Sequence, residues 1–286
     1  MTKRIWLYLV LTFAISSVFS TLIITAGSIS AASNRYVFFL MWSPGIAALI
    51  TCRLTDKNYD VIGWKLGAAR FQIMSYVLPL IYCTLCYVFL WGLRLGGFPN
   101  PGYVAEAAKS FGWKGDHTAI VLCWQFILVA TAGVLKGCGN TLGEELGWRG
   151  YLTPQLYKSC SFTSTSVIIG LIWSVWHFPV LLFADYNSGG NIYYSLGCFT
   201  VMTIGLNFAY TWLRLRSGSV WTGVILHSAH NMFIQAFFTP ATLAFAKTRY
   251  WYDEFGVLLA ISGLIVGCYF WMRRNELPSV KVLGVN

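Results

Sequence analysis

The sequence carries very little charge. Asp, Glu, Lys and Arg make up 10% of its 286 residues, while 57% are hydrophobic. A soluble domain usually has about 25% charged residues, so the shortage excludes an ordinary soluble fold and indicates a polytopic membrane protein. Twenty basic residues against ten acidic ones give a net charge of +10. There is no contiguous basic patch and no recognition motif, which argues against a nucleic-acid partner. The basic residues stand in ones and twos between apolar runs, as topological charge does. No disulfide framework is present either: most of the eight cysteines lie inside apolar runs, and Cys83-x-x-Cys86 has no second pair in reach. Cysteine acts here as a small hydrophobe. No internal repeat, low-complexity tract or long linker divides the chain, so residues 1–286 form a single membrane domain, with a motif core at about 118–238.

What the chain does have is long apolar runs. A bilayer-crossing helix needs roughly 20 mostly apolar residues. Eight segments qualify: about 5–26, 36–53, 72–93, 118–138, 164–183, 193–213, 219–238 and 254–272. The expected class is all-α, with about eight transmembrane helices. The first run is too long for the 7–15-residue core of a signal peptide and reads as a retained span. With the N-terminus inside, fourteen basic residues, from Lys3 and Arg4 to Lys281, fall on the cytoplasmic side and six on the other. Both termini are therefore expected in the cytoplasm, and the short N-terminus and compact loops suggest a bacterial plasma membrane. Asp56 to Arg70, with Trp64 and Lys65, is amphipathic and reads as a short interfacial helix. Arg94 to His117, with Pro99, Pro101 and several glycines, reads as an irregular loop without chemistry.

Against this apolar background one stretch stands out, Gly139 to Tyr151, which contains Glu144-Glu145 and Arg149. Ionisable residues inside a membrane segment are costly and mark a functional site by default. Glu145 and Arg149 are four apart, acid before base, and share a helix face. Glu144 falls on another face with Trp148 and Tyr151, without a nearby cation. At 100° per residue Gly139, Gly143, Gly147 and Gly150 form a stripe for close helix packing. The next span holds Trp173 and His177 four apart. The seventh holds His227 and Asn231 four apart, while His230 is rotated away and reads as a packing or supporting residue. Polar groups on three apolar spans point to one converging buried site.

Two chemistries fit these residues. Zinc is one, with His177, His227 and Glu144 as ligands and a water in the open position. The His-Glu-x-x-His helix of zinc proteases is absent, however, and the histidines are split between helices. The other needs no metal or cofactor and uses each residue once. Glu144 with His177 activates a water, His227 with Asn231 donates to an oxyanion, and Glu145 with Arg149 supports the geometry. The sequence reading favours the second.

The motifs Glu144-Glu145-x-x-x-Arg149, Trp173-x-x-x-His177 and His227-x-x-x-Asn231, in this order, resemble the CPBP or Abi family, the group of CAAX-type prenyl endopeptidases and bacteriocin-processing enzymes. The run Met41-Trp42-Ser43-Pro44-Gly45 resembles a stretch near the family's second helix. Trp173 stands where phenylalanine is frequent, a change that reads as conservative for packing. The resemblance implies an eight-helix intramembrane endopeptidase with a conical cavity open to membrane and cytoplasm. It also implies hydrolysis that depends on glutamate rather than metal, with Glu144 as base, His177 its partner and His227 and Asn231 as the oxyanion site. The expected partners are the bilayer and a peptide or protein tail, prenylated or of bacteriocin or pheromone type. The competing reading is a non-catalytic immunity or scaffold protein of the same fold. A proton-relay transporter is disfavoured, because no inverted repeat or matched pair of broken helices is visible.

Overall fold

The computed structural model describes residues 2–55, 57–114, 117–186 and 189–278. Asp56, at the start of the expected interfacial segment, and Lys281, assigned to the cytoplasmic face, lie outside the described residues. Among the described residues nine helices follow one another: α1 (Lys3–Thr25), α2 (Asn34–Thr55), α3 (Ala69–Gly92), α4 (Pro101–Ser110), α5 (Thr118–Tyr157), α6 (Phe162–Phe183), α7 (Ile192–Ser217), α8 (Trp221–Ala241) and α9 (Val257–Met272). No strand occurs among the described residues. Seven of these helices are long and apolar enough to cross a membrane. The remaining expected segment, 219–238, is helical as α8, but Thr222, His227, Ser228, His230, Asn231 and Gln235 dilute its apolar character. That helix is packed inside the bundle against α3 and α5. Large apolar side chains such as Trp6, Leu85 and Ile265 are exposed on the outside, as expected where lipid replaces water. The chain is thus an all-α, multi-pass integral membrane protein.

Two of the expected local structures differ. Only a 3₁₀ turn, Asp60–Ile62, forms in the stretch read as an interfacial helix. Gly63 ends it with a left-handed φ of 76°, and Arg214 of α7 donates through Nη2 to the carbonyls of Val61 at 2.7 Å and Ile62 at 3.2 Å. Those carbonyls serve α7 instead of a helix of their own. In the loop read as irregular, α4 forms instead. Pro101 is pre-set for a first helical position, and the Asn100 side chain accepts from the Gly102 N–H at 3.1 Å, a standard start signal.

Two helices carry π-helical stretches: Val129–Gly133 and Leu146–Leu152 in α5 and Met232–Phe238 in α8. The last two begin at the residue after a site residue singled out from sequence, Glu145 in one case and Asn231 in the other. Single-turn π segments are frequent at functional sites. Here they shift the phase of every side chain that follows.

The glycine stripe works as close packing of α5 on α2. A methyl group at Gly143 would lie 2.6 Å from Trp42 Cα, and one at Gly45 would lie 2.5 Å from the Gly143 carbonyl oxygen. Trp42 Nε1 donates to the Gly139 carbonyl at 3.1 Å. The Met41 to Gly45 run is therefore the surface against which the Glu144-Glu145 segment is set. Gly143→Ala is expected to lower stability by about 1–3 kcal/mol through overpacking against backbone, read as a fall in melting temperature in detergent. Gly139→Ala, with nothing within 4 Å of the added methyl, is expected to leave the melting temperature unchanged or higher.

Candidate active site

The site is assembled from α5, α6 and α8, with walls from α7 and the segments flanking it. Glu145 is fully buried at its base. Its Oε1 accepts from Arg149 Nη1 at 2.9 Å and from His227 Nδ1, also at 2.9 Å. The pair expected between Glu145 and Arg149 is formed, and it reaches one helix further than the sequence suggested. Arg149 is equally buried. It donates through Nη2 to Asn207 Oδ1 at 3.3 Å and lies between the rings of Tyr210, 3.8 Å from its guanidinium carbon, and Trp173, at 4.4 Å. Asn207 is itself fixed, its Nδ2 donating to the Thr203 carbonyl at 2.8 Å.

Glu144 does not share a face with Trp148 and Tyr151 as the regular helix predicted. The π-helical turn carries those two rings toward Tyr8 on α1. The aromatic partner of Glu144 is instead Trp173 on α6, whose Nε1 donates to Oε2 at 2.8 Å. Trp173 is thus a hydrogen-bond donor to the carboxylate as well as a packing residue, a role no phenylalanine can fill. His177, one turn on, donates its Nδ1–H to the Trp173 carbonyl at 2.8 Å, since a carbonyl only accepts. This leaves Nε2 of the neutral ring as an acceptor. The imidazole is held between Trp176, Phe199 and Tyr186, with centroids at 4.7, 5.0 and 6.5 Å.

Glu144, His177, His227 and Asn231 all line one cavity of ≈ 200 Å³, which has room for several waters at about 30 Å³ each. The opposite wall contains a second polar cluster that the sequence reading did not find. His230, read there as a packing or supporting residue, lies 3.3 Å from Glu254 Oε1 through Nε2 and meets the Tyr82 hydroxyl through Nδ1. Gln235 donates to Glu254 Oε1 at 3.0 Å and Tyr186 to Oε2 at 2.8 Å. Burial alone would raise the Glu254 carboxyl, but the hydrogen bonds and charge of His230, with Tyr186 and Gln235, hold it below its ordinary range. Glu254 was placed in the last span by its apolar neighbours. The helix starts only at Val257, so the carboxylate sits in the preceding loop and turns into the bundle. The adjacent carboxylates Asp253 and Glu254 beside an apolar run were the available signal.

The zinc alternative fits these residues poorly. No group of three His, Cys, Asp or Glu side chains is gathered closely enough to hold a metal ion among the described residues.

Buried acids and histidines around a cavity, inside a multi-pass helical bundle, define a membrane protein with an intramembrane polar site. Residues 119–233 match the family model for the type II CAAX prenyl endopeptidases, Rce1-like. All six residues singled out on α5, α6 and α8 fall within that span. The chain is also similar to CAAX prenyl protease 2 of Methanococcus maripaludis, at 24% identity over 236 residues that cover 74% of this chain and 80% of the relative. The resemblance read from the motifs is thereby borne out: the central segment is Rce1-like, and the family match supports an intramembrane protease.

Trp173→Phe keeps a ring but removes the donor to Glu144. It is expected to lower unfolding stability by about 1.5–3 kcal/mol, the usual worth of a hydrogen bond to a charged group. In a Glu144→Gln background the loss should shrink. A double-mutant cycle on melting in detergent checks this.

Proposed function

We propose that this protein is an intramembrane endopeptidase that cleaves a peptide bond in a membrane-associated substrate by a metal-free, glutamate-dependent mechanism. The observation that carries this reading is the division of labour between the two adjacent carboxylates. Glu145 is consumed by Arg149 and His227, whereas Glu144 faces the cavity with a single neutral donor on one oxygen. Its other oxygen is available to a water, and His177 Nε2 is an acceptor for the same water. Glu144 takes a proton as the water oxygen adds to the peptide carbonyl carbon, and the carbonyl becomes an oxyanion. Asn231 donates to that oxyanion from its side-chain amide, and His227 from Nε2. Because Nδ1 already donates to Glu145, an Nε2 donor requires the imidazolium form, and the Glu145 carboxylate supplies its counter-charge. Collapse of the intermediate breaks the C–N bond, and the proton on Glu144 passes to the leaving amine.

The named relative is a CAAX prenyl protease, so a prenylated C-terminal tail is the first substrate class to consider, with bacteriocin- or pheromone-type peptides the second. We place both termini on the cytoplasmic face, where the excess of basic residues lies. The test uses purified protein in detergent with quenched peptides carrying lipidated and plain tails. Wild type is expected to cut, Glu144→Gln to lose activity by about 10²–10⁴-fold, and a strong zinc chelator to have no effect. Cleavage abolished by chelator and restored by zinc would overturn the mechanism. A Glu144→Gln protein that retains full biological activity would favour the scaffold role.

A further inference from the structure

The three rings that hold the His177 imidazole are secured in different ways. Trp176 stands on α6 and donates through Nε1 to Ser16 Oγ at 2.7 Å, and Phe199 is buried on α7. Tyr186 belongs to no helix. It comes from the loop after α6, is half-buried, and meets the imidazole at 6.5 Å with 22° between the planes. Its ring rests edge-on against Phe255 at 5.1 Å, and its hydroxyl donates to Glu254 Oε2 at 2.8 Å. The other oxygen of that carboxylate receives two groups from α8. Gln235 donates to it through Nε2 at 3.0 Å, and His230 Nε2 lies 3.3 Å away. Gln235 Nε2 also reaches the Tyr186 hydroxyl, at 3.3 Å. A buried charge is a costly way to fill space, whereas a polar network with its partners in place is rigid. This one runs from α8 to the only ring against His177 that no helix supplies.

Building on the protease reading above, we propose that Tyr186 is a positioning residue for His177 and that Glu254 holds it in place. The bond from His177 Nδ1–H to the Trp173 carbonyl fixes one edge of the imidazole. A single bond at one ring atom lets the ring rock, so the neighbours on its faces set the angle at which Nε2 meets the water. Trp176 and Phe199 stand at 89° and 63° to the imidazole. Tyr186, close to parallel, is the neighbour that covers a face, as an offset stack does. Misplacing a reacting group by about 1 Å can cost 10²-fold in rate, so a ring carried on a loop needs an anchor. The hydroxyl provides it, because a hydrogen bond to a carboxylate is roughly twice as strong as one between neutral groups. Tyr186 and Glu254 need not touch the reacting atoms; both act through His177.

Tyr186→Phe keeps the ring and removes its anchor. In the full-length protein in detergent, kcat for the quenched peptides is expected to fall about 10–10²-fold, with KM within about threefold. The melting temperature should fall by only roughly 2–4 °C. The imidazole gives the direct readout, by nitrogen NMR of protein carrying isotope-labelled histidine, with His177 assigned by its loss in His177→Gln. Wild type should show His177 as a single Nδ1–H tautomer, and Tyr186→Phe a mixture of tautomers or a broadened signal. Glu254→Leu, which removes the anchor from its other end, should change the same signals, and adding it to Tyr186→Phe should change them no further. Unchanged His177 signals in Tyr186→Phe, a wild-type kcat, or a rise in KM in place of the loss in kcat overturns the positioning role. Any of these in a preparation whose wild type cuts peptide sinks that role alone. A wild type that cuts no peptide sinks the protease reading and the positioning role together.

Discussion

The rest of the site depends on the carboxylate of Glu145. A charge placed inside a membrane bundle must be balanced in place, and one oxygen of Glu145 receives both the Arg149 guanidinium and the His227 ring. Two helices, α5 and α8, are committed by that one atom, and Arg149 extends the hold to α7 through Asn207. Removing Arg149 would leave the carboxylate buried with only the His227 ring beside it, which is the expensive way to break such a pair. Asn207, Tyr210 and Trp173 then line up around Arg149 because a buried guanidinium needs both acceptors and aromatic faces. The same arrangement leaves Glu144 as the neighbour without a cation. Two adjacent glutamates thus acquire different chemistry from their surroundings alone.

The fold was legible in the sequence wherever the hydrophobic signal was long and simple. Every apolar run became a helix, and the spacing of Glu145 and Arg149 predicted their ion pair. Face assignments failed beyond Glu145, because 100° per residue holds only while the hydrogen-bond ladder stays regular. The π-helical stretch Leu146–Leu152 moves Trp148 and Tyr151 off the face expected for Glu144, and nothing in composition marks where such a stretch starts. The donor role of Trp173 was hidden for a different reason. Tryptophan and phenylalanine look interchangeable as bulk, and only the position of Glu144 shows that the indole N–H is used. Glu254, with His230, Tyr186 and Gln235, was invisible because its partners come from two other parts of the chain, α8 and the loop after α6, and only packing brings them together.

The two expectations that differed, for the loops, share one cause. A backbone carbonyl or N–H takes the best partner on offer. Val61 and Ile62 give their carbonyls to Arg214 and so do not extend a helix. The chain after Asn100 receives a cap from that side chain and does form one. Arg214 also donates through Nε to the carbonyl of Arg149 at 2.9 Å. A single guanidinium therefore joins the membrane-edge loop to the backbone of the residue that neutralises Glu145.

The family match ends at residue 233, yet the cavity does not. Glu254 closes it from beyond that limit, and α2, which lies before residue 119, provides the surface on which Glu144 and Glu145 are seated. The stretch that the family model covers is therefore smaller than the set of residues that forms the cavity. A transplant of residues 119–233 between two such proteins would carry the histidines and acids but leave behind the wall and the seat.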